Sequence, residues 1–505
     1  MHAAVLWIVL IPLAAGLTSW LAPKNNSSIP RAAALLGSLI SAALVGVVYL
    51  GYDPAAGGVQ FAFTKTWFTI GDALADIPVQ VTLGFGADGL SLPLLALTGV
   101  VGFAAAWASK GVRTRANEYY GWLMILLAAL YGVFAATDLF LLFFFLELTL
   151  VPMYFLIGIW GGEERKKAAT KFLIYRGMSS IGLVVAFFGI AYLSGKVGGG
   201  MTFDITSLTQ QLHSGGAAAG LAPVAGALFL LLFAAILVEE ALVPFHTWLP
   251  FVHSQAPAAV NMLLGGVVVK TGAYLFLRVA GGMMPAMVAR YALLVAVVGV
   301  INILWAGLIA FVQGDWRRLL AYTTISHMGV FLLAAASMTP AGLQGALFVA
   351  VSSGLLTALL FAGVGIIGER AGTVEMAALG GLSKPMPYVS GLLLTGALGS
   401  LGLPGMGQFV GEILSFSGSF SVFPRLSAFG IIGILLAAVY LLWAIQRTTF
   451  GPTPATKEGL RDGTPGEVLP MVLLLIAVIG VGVFPAVIGQ TAGGTLAALA
   501  AGIGG

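Results

Sequence analysis

Apolar runs long enough to cross a bilayer recur from one end of this chain to the other. A helix needs ~20 predominantly apolar residues at ~1.5 Å rise to traverse ~30 Å of hydrocarbon, and a chain built of such runs has few alternatives to a membrane bundle. Composition agrees: 59% of the 505 residues are hydrophobic and 8% are charged, against roughly a quarter charged in ordinary soluble domains. A β-barrel would instead show short alternating segments throughout. The 69 glycines suit helices whose backbones approach closely in lipid. The expected fold class is an all-α polytopic membrane protein of about 14 transmembrane helices.

Several chemistries have no residues to carry them. The chain has no cysteine, which excludes disulfides and cysteine-ligated iron–sulfur clusters. It has neither a GxxxxGK[ST] loop nor a GxGxxG in a strand–helix setting, so ATP or NADH chemistry is not expected here. The net charge of +4 is dispersed over the connecting loops and does not suggest nucleic acid. The opening run MHAAVLWIVLIPLAAGLTSWLAPK lacks a basic start and is a full span in length, so it reads as the first helix and not as a cleaved signal.

Orientation follows from the basic residues. With both termini on the outer side, most Lys and Arg fall on inner loops, including the cluster Arg165, Lys166, Lys167 and Lys171, as the positive-inside rule requires. Lys270 belongs to neither side. Two spans read as broken: the seventh by Pro244 and Pro250, the twelfth by GLPGMGQ at 402–408. Non-helical backbone at membrane depth persists only where protein or water satisfies it, and paired broken helices point to inverted repeats that handle ions at the breaks. The expected organisation is N-terminal helices over 1–118, a five-helix repeat over 119–280, a second over 281–450, and a loop with a last helix over 451–505.

Five ionisable groups fall inside expected spans: Glu147, Glu239, Glu240, Lys270 and Glu412. Each costs at least ~2.5–3.5 kcal/mol even on the lenient insertion scale, so each should face a partner or water. Interhelical glue is the plain alternative; five such groups, two beside breaks, favour an ion path. His246 follows the first break, His253 lies in FVHSQAP, and His327 follows Tyr322, Thr323, Thr324 and Ser326, a polar run able to hold water. These side chains show no metal-site spacing and no nucleophile–histidine–acid arrangement. Buried Glu, Lys and His are, however, the groups that exchange protons.

The stretches FLELTLVPMYFLIGIWGG, VPFHTWLP…HSQAP, GDWRRLLAYTTISHMG and FVGEILSFSGSF resemble the antiporter-like subunits of bacterial proton-translocating NADH–quinone oxidoreductase (respiratory complex I), the M type above the L and N types. The resemblance covers most of residues 85–450. D-type subunits of multi-subunit sodium/proton antiporters are the alternative. The resemblance implies proton transfer through Glu147, Lys270, His327 and Glu412, coupled to electron transfer in other subunits. It further implies no cofactor on this chain, with FMN, iron–sulfur clusters and quinone on partner subunits. The expected partners are L-type and N-type subunits in a bacterial plasma (inner) membrane.

Two positions depart from that pattern. The family carries a lysine on the seventh helix where this chain has Glu239, and a relay histidine on the eleventh where it has Ser353. Glu239 and Glu240 lie ~100° apart on a helix and cannot both face one partner. Arg176, in FLIYRGMSS on the preceding span, is the expected source of the displaced positive charge. A third reading is a structural subunit whose channel the lysine-to-glutamate change has altered.

Overall fold

A computed structural model describes residues 3–23, 27–70, 79–198, 201–214, 222–457 and 459–502. Helix α1 (Ala4–Leu21) and α2 (Ser28–Gly51) precede a hairpin of β1 (Gln60–Ile70) and β2 (Val79–Ala87). There follow α3 (Ser91–Ala108), α4 (Ala116–Ala135), α5 (Leu139–Trp160), α6 (Arg165–Gly198) and the short α7 (Ile205–Ser214). The first break separates α8 (Ala222–Glu239) from α9 (Trp248–Gln255). One continuous span then runs through α10 (Ala258–Leu263), a π turn (Leu264–Val268), α11 (Lys270–Leu275) and a second π turn (Phe276–Gly281).

The remainder comprises α12 (Pro285–Phe311), α13 (Trp316–Ala336) and α14 (Pro340–Ala371). The second break lies between α15 (Pro387–Ser400) and α16 (Gly407–Val422), and α17 (Pro424–Thr449), α18 (Pro465–Val483) and α19 (Ala486–Ala501) complete the chain.

Local sequence sets most helix starts. α12, α14, α15, α17 and α18 all begin on proline, whose fixed φ suits a first turn and whose missing N–H leaves nothing unpaired there. Asp138 and Asp315 cap α5 and α13, each accepting two backbone N–H groups of the first turn, the groups a helix otherwise leaves unsatisfied.

Twelve helices among the described residues are long and apolar enough to cross a membrane. The gap from the expected 14 lies at the breaks: α8, α15 and α16 are each cut too short to qualify. The all-α expectation is corrected between α2 and α3, where two antiparallel strands pair Thr64 with Gly84 and Thr66 with Thr82. QFAFTKTWFT is rich in aromatic and β-branched residues, a strand composition that averaging over helix-length windows dilutes. The single last helix expected within 451–505 is likewise divided: α18 ends at Val483 before a separate α19.

Burial orders the bundle. The Ala258–Gly281 span and α14 are wholly buried across their apolar windows, whereas α1 and α2 are one-third buried (33%). The two interior helices therefore carry Lys270 and Ser353 at the centre of the chain, with apolar α1, α2 and α18 left facing outward.

Candidate functional site: buried charges at and between two helix breaks

At the first break, α8 ends on Glu239 and the chain turns through Ala241, held in the left-handed region at φ 55°. Glu240 N still donates to Ile236 O, but Leu242 N reaches back to Leu237 O, which winds the last turn out of register. Both acids are buried. Glu239 Oε2 forms an ion pair with Arg176 Nη1 of α6 and accepts from Thr271 Oγ1 at 3.5 Å. Arg176 is 1% exposed, and its Nη2 lies 3.5 Å from Thr149 Oγ1 on α5. Glu147, on the same helix and half-buried, lies beside Ser180 and within electrostatic reach of Arg176. One guanidinium thus stands between carboxylates of α5 and α8.

Glu240 points elsewhere. Among the described residues neither of its carboxylate oxygens has a hydrogen-bond partner, and Lys270 is the opposite charge acting on it, without ion-pair contact. Gly272 makes this approach possible: a Cβ there would stand 2.5 Å from Glu240 Cγ and 3.1 Å from Glu239 Cβ. Lys270 is fully buried, its Nζ 3.7 Å from Met328 Sδ. It opens α11 one residue past the end of one π turn and before another; such turns add a residue to the helix and recur at functional sites.

Among the described residues His327, next to Met328 on the buried α13, has no hydrogen-bonded ring nitrogen; its ring faces the main chain of Ser400 without meeting hydrogen-bond geometry. Ser400 ends α15, so this contact leads to the second break. There Gly402, at φ 75°, faces Glu412 so closely that a Cβ would lie 2.6 Å from Oε2. Gln408 Nε2 donates to Glu412 Oε1 at 2.9 Å. Glu412 is buried, and α16 is pressed onto α14 at Gly411, where a Cβ would meet Val349 N at 2.8 Å.

The structure therefore brings Arg176, Glu147 and Glu239 together at one break, and Glu240 with Lys270 beside it. His327 stands between Lys270 and the second break, where Glu412 lies. His246 is set apart, half-buried beside Lys171 and tilted against Tyr322 at 6.2 Å between ring centroids. His253 is a packing histidine by geometry: its Nδ1 pairs with Asn261 Oδ1 at 2.8 Å and its ring stacks on Phe361 at 4.4 Å. Ser353 bonds back to Ala350 O at 3.4 Å. Among the described residues no group of three or more acids and histidines could hold a metal ion.

Sequence reasoning missed Thr149 and Thr271, whose hydroxyls flank the Arg176–Glu239 pair, and the pairing of Arg278 with Asp88 through two bonds of 2.6 Å. Arg278 stands near the end of the Ala258–Gly281 span. The available signal was its position on the same helix as Lys270, eight residues on.

Residues 136–448 match the family model described as NADH:quinone oxidoreductase/Mrp antiporter, TM. The chain belongs to this NADH:quinone oxidoreductase/Mrp antiporter transmembrane family. Within it, the NADH-quinone oxidoreductase subunit M of Pseudomonas aeruginosa is 35% identical over 494 residues, 95% of this chain and 94% of that protein. A chain of respiratory complex I from Thermus thermophilus with bound NADH superposes with a TM-score of 0.86 at 29% identity, covering 99% of this chain and 100% of that one. A chain of the Mrp complex from Dietzia shares the fold, with a TM-score of 0.83 at 20% identity over 99% and 97% of the two chains. The family match takes in all eight candidate residues, from Glu147 to Glu412.

Proposed function

We propose that this chain is the proton-translocating, antiporter-like membrane subunit of an NADH–quinone oxidoreductase, an M-type subunit of complex I. It sits in a bacterial inner membrane with both termini outward, beside L-type and N-type neighbours. It holds no redox group itself; partner subunits carry FMN, iron–sulfur clusters and quinone and do the electron transfer. Residues 119–280 and 281–450 act as two inverted five-helix repeats, with 1–118 and 451–505 flanking them.

One observation carries this reading. Glu239, Glu240, Lys270, His327 and Glu412 are all buried and lie at two helix breaks and on the helices between them, where each ionisable group in a membrane interior is costly and marks an ion pathway. Glu147, Glu239, Glu240, Lys270, His327 and Glu412 exchange protons in sequence, with His246 at the inner edge. Arg176 does not exchange, because a guanidinium stays charged. It supplies the fixed positive charge that the family's seventh-helix lysine would supply, and leaves Glu240 to respond to Lys270.

Lys270 gives the decisive test. Arginine preserves its charge but not its ability to release a proton. Lys270→Arg in the assembled complex should therefore abolish coupled pumping, and Lys270→Met should do the same. Wild-type pumping by the arginine variant would make Lys270 a fixed structural charge. Purification separates the antiporter reading: loss of the flavin and iron–sulfur subunits, with cation/proton exchange by the isolated assembly, would replace complex I with an antiporter.

A further inference from the structure

A cavity of about 580 Å³ opens on the face that carries the β hairpin. It is walled by the 54–59 turn, α7, α19, the start of α3 and the end of α4 with its link to α5, and its floor is Tyr274, Leu277 and Arg278. Tyr274 and Arg278 follow Lys270 by four and eight residues on one helix, so the floor begins about one turn, ~6 Å, above the lysine. Tyr274 closes the floor against α4: its Oη donates to Phe134 O at 3.5 Å and its ring meets the Phe134 ring edge-on at 5.3 Å between centroids. The volume holds a cluster of waters at ~30 Å³ each.

The floor is latched. Arg278 Nη1 and Nη2 donate to the two oxygens of Asp88 at 2.6 Å each, and Nε donates to Tyr274 Oη at 3.1 Å. Asp88 Oδ1 also accepts from Leu90 N and Ser91 N at the start of α3. The guanidinium lies over the Tyr274 ring, 5.2 Å from its centroid. Tyr274 is thereby fixed through Arg278 to a neighbouring helix. Yet Arg278 itself sits in a π turn, a local excess of winding that can relax without unfolding the helix.

We infer that this cavity is an aqueous mouth through which Lys270 exchanges protons with the hairpin face, with Tyr274 as its plug and the Asp88–Arg278 pair as the latch. This rests on the proton-translocating reading above. When the latch opens, the Lys270 ammonium passes its proton to cavity water and is left as the neutral amine; water carries the proton out, and the amine is recharged from the Glu240 side. Arg278 and Asp88 position the plug and take no proton themselves.

The absence of native cysteine in this chain permits a direct test. Thr209, on α7, lines the cavity and is partly buried. Thr209→Cys in the intact complex should pump as wild type and should react with membrane-impermeant methanethiosulfonates applied to the hairpin side only. Attachment of a cationic group should slow pumping at least threefold, while an anionic group of the same size should not. A purely structural cavity would respond alike to both. Asp88→Asn should raise the passive proton leak of vesicles severalfold without added NADH. No labelling from the hairpin side, or labelling with equal effects of both charges, overturns the inference, whether or not Asp88→Asn assembles. Glu147→Gln separates the two levels: wild-type pumping there overturns the translocation reading, whereas lost pumping there with an indifferent cavity overturns this inference alone.

Discussion

Arg176 reaches from α6 to the last residue of α8 and pairs with Glu239, with the two side chains 1% and 3% exposed. Removing one member of a buried pair leaves an uncompensated charge and costs ~3–5 kcal/mol, whereas removing both is often close to neutral. Arg176→Met should therefore lower the thermal midpoint of the purified complex markedly, and Arg176→Met with Glu239→Gln should regain most of it. Equal destabilisation of the single and double variants would mean that the pair contributes nothing specific.

The same pair predicts a rescue of activity. If Arg176 supplies the charge that the family places on the seventh helix, Arg176→Ala should reduce proton pumping, and adding Glu239→Lys should restore part of it. NADH-driven pH change in vesicles is the measurement. A double variant no better than Arg176→Ala would separate the ion pair from transport.

Glu147 lies within reach of Arg176 but does not share its close contact. Glu147→Gln keeps shape and hydrogen bonding while removing the titrating group, so pumping should fall at least tenfold in a complex that still assembles. Glu147→Asp should retain a substantial fraction. If glutamine and aspartate behave alike, charge at this position is irrelevant.

Gly272 offers a test that adds no charge and removes none. Alanine is favoured over glycine by ~1 kcal/mol in a helix interior, so a helix with free space would gain stability. Here the new methyl would stand 2.5 Å from Glu240 Cγ and 3.1 Å from Glu240 N, and the break must yield. Gly272→Ala should leave assembly intact and slow pumping severalfold. An unchanged rate would show that the spacing of Glu240 and Lys270 has no part in transport.

At the second break, Gly411→Ala should act through Glu412 without touching it. The methyl would press on Val349 N at 2.8 Å and lift α16 from α14. Pumping should fall more than electron transfer measured with an uncoupler, and Gly418→Ala, farther along the same helix contact against Gly342, should cost assembly without that selective loss.

Hydropathy and proline made the bundle legible: apolar runs marked the spans, and Pro244, Pro250 and GLPGMGQ marked where two would fail to continue. The hairpin escaped because QFAFTKTWFT carries its information in a short run of aromatic and β-branched residues, which a helix-length average dilutes. The buried charges were visible singly because Glu147, Lys270 and Glu412 have no reason to stand in oil without partners. The partners were less visible. That Arg176 could stand opposite Glu239 followed from a missing lysine on the seventh helix, but its bond to Thr149 depends on the packing of α5 against α6. Asp88 and Arg278 are 190 residues apart in sequence, and no local pattern links them.

The two oxygens of Asp138 divide their work: Oδ1 accepts from Phe140 N and Leu141 N at the head of α5, and Oδ2 accepts from Thr82 N and Oγ1 on β2. Lipid offers a helix only a soft and variable sense of depth. A strand bolted to the first turn supplies a hard one, and Glu147 lies nine residues below it, ~13 Å at helical rise. The hairpin is thus a surveyor's datum for the proposed proton path: the level of the first acid is measured from a fixed mark at the head of its own helix, whatever the thickness of the bilayer around it.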